Sequence, residues 1–519
     1  YGLWNGVPDN GSKELLQKIL REEWGFEGFV VSDCSGPENI QRKQSVVGTM
    51  EEAAAMAVRA GVDIECGSAY KKALASAVKK GIIKESELDA NLRRVFRAKM
   101  RLGLFDRPSI ENMVWNKLPE YDTPEHRALA RKVAVKSTVL LKNENNLLPL
   151  DKNIKTIAVI GPNADQGQTG DYSAKYAPGQ IISVLEGVKN HVSPSTKVLY
   201  AQGCTQLDMD TTGFAEAVNI AKQADAVILV VGDNSNRHEN GNKKSTTGEN
   251  VDGATLEIPG VQRQLIKAVE ATGKPVVLVL YGPGIFSVNW AVENVAGIVQ
   301  AWMPGPFAGE AVTNVLDGNF NPGGKLNVTI PRSAGQIPIF YNHKNGSGYA
   351  SGSDATSAAI FSGGYTDGLG TPLYPFGYGL SYTEFALDHF KIEKTEIPTD
   401  GKIEVSCTVS NIGAVAGDEV VQLYQAFHGA HVVRPNKQLA GFKRVHLNAG
   451  ETKKITFNLD TAQLGYYDEE MQFVVEPGQL DIMVGTSSED LPFKETISLT
   501  GEKICVAGKR SYTCEVEEK

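Results

Sequence analysis

The chain has 519 residues, and at roughly one domain per 150 residues this length predicts about three domains. Its 52 basic and 61 acidic side chains give a net charge of −9, which argues against a nucleic-acid-binding protein, since those normally carry a basic face. Hydrophobic residues make up 41% of the sequence, yet no apolar run reaches the roughly 18 residues that would span a membrane. The composition is therefore typical of a multidomain enzyme, with neither nucleic acid nor a membrane as its partner.

The first hundred residues contain several amphipathic helical segments with recognisable ends. Ser12 is placed to cap the segment SKELLQKILREEW. Thr49 and Glu52 have the spacing of a capping box before an alanine-rich helix that should end at Gly61. Two more helical stretches are expected between about residues 69 and 101.

Two short apolar runs in the same region, at residues 28–33 and 62–66, predict buried parallel strands. The resulting β-α-β-α order is that of a parallel sheet or barrel, although two strands cannot close a barrel. Asp33 ends the first run and Glu65 lies near the end of the second. Because reacting groups collect at the carboxyl ends of parallel strands, both are candidates for catalysis, the alternative being carboxylates that cap backbone amides.

Beyond a linker at residues 107–132, buried strands alternate with helices and predict an α/β domain with a mainly parallel sheet at residues 133–380. Short alternating strands separated by Gly, Asn and Pro then predict a β-sandwich at residues 385–500, followed by a tail at 501–519. The four strands predicted for the sheet are TIAVIG, AVILVVG, PVVLVLYG and GIVQAWMPG, and those predicted for the sandwich are IEVSCTVSN, EVVQLYQAF, KKITFNL, FVVEPG and QLDIMVG.

The six cysteines show no zinc spacing and are too few for a disulfide scaffold. Six free or buried thiols are the favoured interpretation, and a bond between Cys505 and Cys514 that closes a terminal hairpin is the alternative. The other four are Cys34, Cys66, Cys204 and Cys407.

The loop after AVILVVG is about 28 residues long and has no clear secondary structure, which in a compact domain favours a functional loop over a mobile insertion. It carries Asp233, His238, Glu239, Glu249 and Asp252. No glycine pattern that binds phosphate occurs at a strand-to-helix turn, so a nucleotide-dependent enzyme is disfavoured. The histidines show no metal-binding spacing either.

A long series of motifs runs through this sequence in order: YGLWNGVP, EWGFEGFVVSD, AGVDIECG, STVLLKNENNLLPL, TTGENVDGATLEIPG, NPGGKLNVTIP and YPFGYGLSYTEF. With these motifs the sequence resembles glycoside hydrolase family 3. The resemblance implies a C-terminal remnant of a (β/α)8 barrel at residues 1–106, the α/β sandwich domain, and a fibronectin type III-like sandwich. The barrel of the family begins well before the V-S-D strand, so the resemblance predicts that this polypeptide is inactive or weak and its longer parent active.

The resemblance further implies a retaining, exo-acting β-glycoside hydrolase with two carboxyl groups in its site. The nucleophile of the family matches Asp33, and its acid/base matches Glu249 in the G-E-x-x-D pattern, with Glu239 as the alternative. This sequence has Gly253 where the family commonly has Arg, which weakens that alignment.

The resemblance also places Tyr1 near the bound sugar as a hydrogen-bond donor, and Trp4 as one stacking wall of the sugar site. The alternative for both is an aromatic side chain packed in the fold. Release of terminal β-D-glucose is favoured, with β-xylosidase as the alternative because Cys34 and Cys66 resemble that branch of the family.

A non-catalytic carbohydrate-binding relative is the competing class of protein. No metal or cofactor is expected, and the expected partner is a small or oligomeric β-glycoside. A homodimer is compatible with the resemblance, which also favours a periplasmic or secreted location.

Overall fold

The computed structural model describes residues 1–106, 120–173, 179–235, 245–345, 365 and 367–519. The chain forms two compact units, Tyr1–Tyr121 and Asp122–Lys519. The second unit contains an α/β domain followed by a β-sandwich.

The alanine-rich helix of the first unit begins and ends at the caps that the sequence predicts. Thr49 accepts a hydrogen bond from the Glu52 amide, and the Glu52 carboxylate accepts one from the Thr49 amide. Gly61 ends the same helix with a φ of 106°, a conformation that glycine adopts at little cost. The elements of this unit are β1 (Leu3–Trp4), β2 (Val7–Pro8), α1 (Gly36–Arg42), α2 (Met50–Ala60), α3 (Ala69–Lys79) and α4 (Glu85–Arg101).

The first predicted helix forms at Glu14–Glu23, with wider turns than an α-helix. Its amide hydrogen bonds run five residues back, for example from Trp24 to the Ile19 carbonyl at 3.0 Å. Ser12 accepts a hydrogen bond from the Leu15 amide at 3.2 Å, so the predicted cap is confirmed.

The two predicted strands of this unit pair, but the prediction that the first of them, at residues 28–33, is buried is wrong. Val31 forms a single parallel bridge with Ile64. Phe29 and Val31 remain 37% and 49% exposed. Within the described residues of this unit no third strand lies beside the pair, so the outward side chains of residues 28–33 are uncovered.

A six-stranded sheet forms the centre of the α/β domain. Its strands are β3 (Val139–Asn143), β4 (Thr156–Ile160), β5 (Lys197–Ala201), β6 (Ala226–Gly232), β7 (Val276–Tyr281) and β8 (Gly297–Trp302). The order is β3-β8-β7-β6-β4-β5, and every neighbouring pair is parallel except β3 with β8. The four predicted strands and the mainly parallel pairing are confirmed. The two edge strands β3 and β5 were not predicted from the sequence. Each has only five residues.

Helices cover both faces of this sheet. They are α5 (Pro124–Ser137), α6 (Val184–His191), α7 (Phe214–Gln223), α8 (Gln262–Glu270), α9 (Asn289–Asn294) and α10 (Ala308–Leu316). Because successive strand residues point to opposite faces, Leu229 packs in one core with Leu265 of α8. Its neighbour Ile228 packs in the other core with Val312 of α10. The sheet is thus buried on both sides, as its nearly continuous apolar strands require.

The strands of the sandwich are β9 (Phe385–Ile392), β10 (Glu396–Pro398), β11 (Lys402–Asn411), β12 (Gly417–His428), β13 (Gln438–Leu447), β14 (Thr452–Asp460), β15 (Tyr466–Tyr467), β16 (Phe473–Val475), β17 (Gly478–Gly485), β18 (Phe493–Thr500), β19 (Ile504–Cys505) and β20 (Glu515–Glu518). They form two facing sheets, in the orders β10-β18-β17-β12-β13 and β20-β14-β11-β9, with a small third sheet β15-β16-β19. The five predicted strands are present as β11, β12, β14, β16 and β17. Short 3₁₀ turns lie at Asp9–Gly11, Glu144–Asn146, Gly305–Phe307, Ala334–Gln336, Thr461–Leu464 and Ala507–Lys509.

A charge cluster around Asp418 joins the sandwich to the α/β domain. The Asp418 carboxylate accepts hydrogen bonds from Lys136 at 3.1 Å, Arg444 at 2.6 Å and His446 at 2.7 Å. Arg444 also donates to the Lys136 carbonyl at 3.2 Å. Burial by itself raises the pKa of Asp418, but the three donors outweigh it, and the pKa falls to about 2.

The expectation of six free thiols is wrong for one pair. Cys34 and Cys66 form a disulfide with a Cα–Cα distance of 4.3 Å. Pairing of Val31 with Ile64 brings the ends of the two segments side by side, which places these cysteines within bonding reach. The alternative bond is also contradicted, since Cys505 and Cys514 are both free thiols.

Among the described residues, the helices are all too short or too polar to cross a lipid bilayer.

Candidate active site

Asp33 lies just beyond the Val31–Ile64 bridge, with its carboxylate exposed. The Cys34 amide donates a hydrogen bond to Asp33 Oδ1 at 2.6 Å. The Gly36 amide, at the start of α1, donates to the Asp33 carbonyl at 3.0 Å. The chain therefore turns sharply after Asp33, and the amide of the next residue holds one oxygen of its carboxylate.

Backbone and side-chain hydrogen bonds hold this turn against residues 64–66. The Ser32 amide donates to the Ile64 carbonyl at 2.9 Å, and the Cys66 amide donates to Ser32 Oγ at 3.1 Å. The Ser35 amide donates to the Cys66 carbonyl at 2.5 Å, and Ser35 has a left-handed φ of 61°. With the Cys34–Cys66 disulfide, these contacts attach the turn on both sides of Asp33.

Tyr1 lies beside the Asp33 turn. Its hydroxyl donates a hydrogen bond to the Cys34 carbonyl, and its own carbonyl accepts one from Gln44 at 3.2 Å. Trp4 belongs to the β1–β2 hairpin and is 44% exposed. Both aromatic side chains remain open to solvent, so neither is a core residue of this unit.

Glu65, the second strand-end candidate, caps a helix. Its carboxylate accepts hydrogen bonds from the Ala69 and Tyr70 amides at 2.8 and 2.6 Å, at the beginning of α3. This is the structural alternative considered for such carboxylates, and it is the one observed for Glu65.

Sequence reasoning missed two further acidic residues near the turn. Asp63 is fully buried between the guanidinium groups of Arg21 and Arg94, at 2.9 and 2.7 Å. Glu38 is buried in α1, where hydrogen bonds from Ser35 and Ser68 hold its pKa below the usual value. Asp63 lies within the predicted strand at residues 62–66 and Glu38 in α1, and only the tertiary contacts show what each carboxylate binds.

In the second unit, Asp233 anchors the beginning of the loop that follows β6. It accepts hydrogen bonds from the Thr246 hydroxyl at 2.9 Å and from the Gly284 amide at 3.1 Å. Burial raises the pKa of Asp233, which is 5% exposed. Its carbonyl accepts hydrogen bonds from Asn163 and Gln168, both at 2.7 Å. Hydrogen bonds therefore join Asp233 at one end of the loop to Thr246 further along it, and to Gly284 after β7.

Glu249 lies further along this loop, in a turn closed by a Gly248–Val251 bridge. Its carboxylate is exposed and accepts a hydrogen bond from the Tyr172 hydroxyl. Its amide donates to Asp171 Oδ2 at 3.1 Å. Asp171 and Tyr172 were missed by sequence reasoning, because they come from a separate loop after β4.

The other predicted residues of the loop fall in two groups. Asp252 is exposed, next to the Glu249 turn. His238 and Glu239 lie outside the described residues.

Asp33 and Glu249 belong to different compact units of the chain. In the part of the chain that the structure describes, no three His, Cys, Asp or Glu side chains group closely enough to hold a metal ion.

Three domain families match this chain one after another, and two of them are domains of the same glycosidase family. Residues 1–98 match the N-terminal domain of glycosyl hydrolase family 3, and residues 138–382 match its C-terminal domain. Residues 419–488 match the fibronectin type III-like domain. These matches confirm the predicted α/β domain and sandwich, while the assignment of residues 1–106 to a barrel stays a prediction.

Sequence relatives agree with this class. A β-xylosidase of Formosa agariphila is 39% identical over 517 residues, an alignment that covers 96% of this chain and 68% of that protein. A periplasmic β-glucosidase of Salmonella typhimurium is 36% identical, with 93% of this chain and 65% of that protein covered. The chain belongs to glycosyl hydrolase family 3. It spans about two thirds of the length of these curated relatives.

Solved structures show the same similarity. A β-glucosidase from Listeria innocua in complex with isofagomine has a TM-score of 0.86 at 31% identity, covering 96% of this chain and 68% of the other. An exo-β-xylosidase in complex with a xylobiose aziridine probe has a TM-score of 0.78 at 26% identity, covering 97% and 65%.

Proposed function

We propose that this protein is a retaining, exo-acting β-glycosidase that releases terminal non-reducing β-D-glucose. Asp33 is the nucleophile and Glu249 the acid/base. The observation that carries the proposal is the exposed Asp33 carboxylate in a turn fixed by hydrogen bonds, within a domain of the family. The two-carboxylate chemistry of retaining glycosidases then assigns the second role to an acidic side chain on another element.

The Asp33 turn suits a nucleophile. The Cys34 amide donates to Oδ1 and so fixes the orientation of the carboxylate that attacks the sugar. In the first step Asp33 bonds to the anomeric carbon while the bond from that carbon to the glycosidic oxygen breaks. The glycosyl group is then held as an ester on Asp33.

Glu249 lies in a loop, and its carboxylate is paired with a neutral donor, the Tyr172 hydroxyl. A protonated Glu249 carries its proton on one oxygen and still accepts the Tyr172 hydrogen bond on Oε2. It gives that proton to the leaving oxygen in the first step. In the second step it takes a proton from water, whose oxygen attacks the anomeric carbon and frees Asp33.

Two aromatic residues of the first unit complete the proposed site. Tyr1 contacts the Asp33 turn, because its hydroxyl donates a hydrogen bond to the Cys34 carbonyl. In this proposal it lies beside a sugar that is bound to Asp33. The exposed indole of Trp4 offers a flat apolar face of the kind on which sugar rings stack.

A β-xyloside is the second candidate substrate. The names of the sequence relatives support it, since the 39% identical relative is a β-xylosidase whereas the 36% identical one is a β-glucosidase. The two sugars differ only in the hydroxymethyl group on C5, so the rate ratio on matched substrates separates them.

The first experiment measures hydrolysis of p-nitrophenyl β-glucoside and β-xyloside by the full chain, together with Asp33→Asn. We expect turnover that is weak, as the resemblance predicts, and that is lost in Asp33→Asn because the variant lacks the nucleophile. Asp89→Asn, an exposed aspartate of α4, is the matched control and should keep full activity. Equal activity of the Asp33 and Asp89 variants would refute the role of Asp33.

A second experiment tests Glu249 and the stereochemistry. Glu249→Gln should lose activity most strongly on cellobiose or xylobiose, whose alcohol leaving groups need a proton, and least on the nitrophenyl glycosides. Glu257→Gln is the matched surface control, and Glu239→Gln tests the alternative acid/base. Proton NMR of the first product should show the β-anomer, and an α-anomer would refute the retaining mechanism.

A further inference from the structure

The Cys34–Cys66 disulfide joins the two segments that form the Asp33 turn. Cys34 follows Asp33 directly, and its amide is the donor to the Asp33 carboxylate. A single strand bridge at Val31 and Ile64 and several hydrogen bonds also join the two segments. The disulfide is the covalent link among these contacts, and it lies directly beside the proposed nucleophile.

Three of the hydrogen bonds around Asp33 depend on the distance between these segments. They are Ser32 amide to Ile64 carbonyl, Cys66 amide to Ser32 Oγ, and Ser35 amide to Cys66 carbonyl. The left-handed φ of Ser35 is an unfavourable conformation for a serine, which persists only when neighbouring contacts impose it. Without the disulfide, the turn can relax away from residues 64–66.

We propose that the Cys34–Cys66 disulfide is a positioning element for Asp33 and makes turnover sensitive to thiol reductants. This inference rests on the proposed function of Asp33. The disulfide does not contact the reacting atoms itself; it acts through the Cys34 amide and the backbone of the turn. An attacking oxygen displaced by about 1 Å can cost roughly a hundredfold in rate, so a loosened turn is enough to lower kcat.

The redox step uses a dithiol such as dithiothreitol. One of its thiolates attacks a sulfur of the Cys34–Cys66 bond, and its second thiol resolves the mixed disulfide. Two electrons and two protons pass to the protein, which gains two thiols, while the dithiol becomes a cyclic disulfide. Cys34 is exposed, so a small reductant can reach the bond.

The other cysteines allow a clean comparison. Cys204 and Cys407 are buried, and burial raises the pKa of their thiols to about 12 and about 11, which keeps them unreactive. Cys505 is an exposed free thiol in the sandwich, far along the chain from Asp33. It serves as the matched control position.

The test measures steady-state kinetics of the full chain on its better nitrophenyl glycoside, before and after incubation with dithiothreitol. Alkylation and mass spectrometry count the thiols. We expect kcat to fall 10- to 100-fold on reduction of Cys34 and Cys66, with KM changed less than threefold, and to return on reoxidation. A merely structural role would reduce the active fraction irreversibly or raise KM as well.

Variants separate this bond from other effects of reductant. Cys34→Ser/Cys66→Ser should have the low kcat of the reduced protein and no response to dithiothreitol. Cys505→Ser should keep both the full kcat and the response. Reduction of both thiols with kcat unchanged within twofold would overturn the proposal, whether or not the double variant folds.

Amide hydrogen exchange decides the question independently of activity. Peptides covering residues 30–36 should exchange at least tenfold faster in the reduced protein, and equal exchange in both states would overturn the positioning role. If the oxidised chain shows no turnover at all, the proposed function of this chain fails, while the exchange result still supports or refutes the positioning of the turn.

Discussion

Removal of the Asp63 carboxylate should destabilise the first unit more than any single surface charge there. Its side chain is 0% exposed, and those of Arg21 and Arg94 are 10% and 16% exposed. Asp63 also accepts a hydrogen bond from the Val30 amide at 2.8 Å, three residues before Asp33. In Asp63→Ala the two guanidinium groups face each other with no intervening negative charge.

The size of the effect follows from burial. Removing one partner of a buried ion pair costs about 3–5 kcal/mol, because the charges left behind are poorly solvated. Burial and the charge of Arg94 lower the pKa of Arg21, and the Asp63 carboxylate acts against both effects. The loss is a large share of the roughly 5–15 kcal/mol that stabilises a typical domain. By contrast, Lys18 and Glu14 are 58% and 51% exposed, so Glu14→Ala should have a far smaller effect on stability.

Native-state hydrogen exchange is the appropriate assay, since a chain with several domains does not unfold in one step. A loss of about 3 kcal/mol accelerates exchange of protected amides in residues 20–35 and 58–66 by roughly a hundredfold. Asp63→Asn, which keeps one hydrogen-bond acceptor, should lie between the wild type and Asp63→Ala. If Asp63→Ala matches Glu14→Ala, the reasoning from burial is refuted.

Three further predictions concern the second unit. The pKa of Asp418 in the folded protein, about 2, lies below the unfolded value near 3.9, so its contribution to stability is present above about pH 4 and declines as the pH falls towards 2. In Asp418→Asn the stability measured by acid unfolding should not show this decline between about pH 4 and pH 2. A variant with the same pH dependence of stability as the wild type would contradict the prediction. Thr246→Val removes the donor to Asp233 at nearly constant volume, and should lower kcat/KM about tenfold by loosening the Glu249 loop; unaltered kinetics on xylobiose or cellobiose would count against this. Tyr172→Phe removes the hydroxyl that pairs with Glu249 and should slow disaccharide hydrolysis about 3- to 30-fold, with a much smaller effect on nitrophenyl glycosides.

The elements that could be predicted from the sequence are those whose determinants are local. The Thr49–Glu52 capping box and Gly61 define both ends of α2, because caps act within one helical turn. The buried strands β4, β6, β7 and β8 are recognisable because a strand covered on both faces is apolar at every position.

Edge strands and the first-unit strand pair were harder to predict. β5 is half-exposed, so it lacks a continuous apolar run, and residues 28–33 look buried in sequence but have only one pairing partner in this unit. Whether an apolar segment is covered depends on neighbours that are distant in the chain, and periodicity carries no information about them.

The candidate site divides in the same way. The residues themselves make Asp33 a candidate because it ends a predicted strand, and the resemblance to the family selects Glu249 from the long loop; both roles stay predictions. The pairing of Tyr172 with Glu249 and the bond between Cys34 and Cys66 became visible only in the three-dimensional structure. The reason is physical: a side chain's partners are set by the approach of separate segments, and such contacts leave no signal in the residues on either side of them.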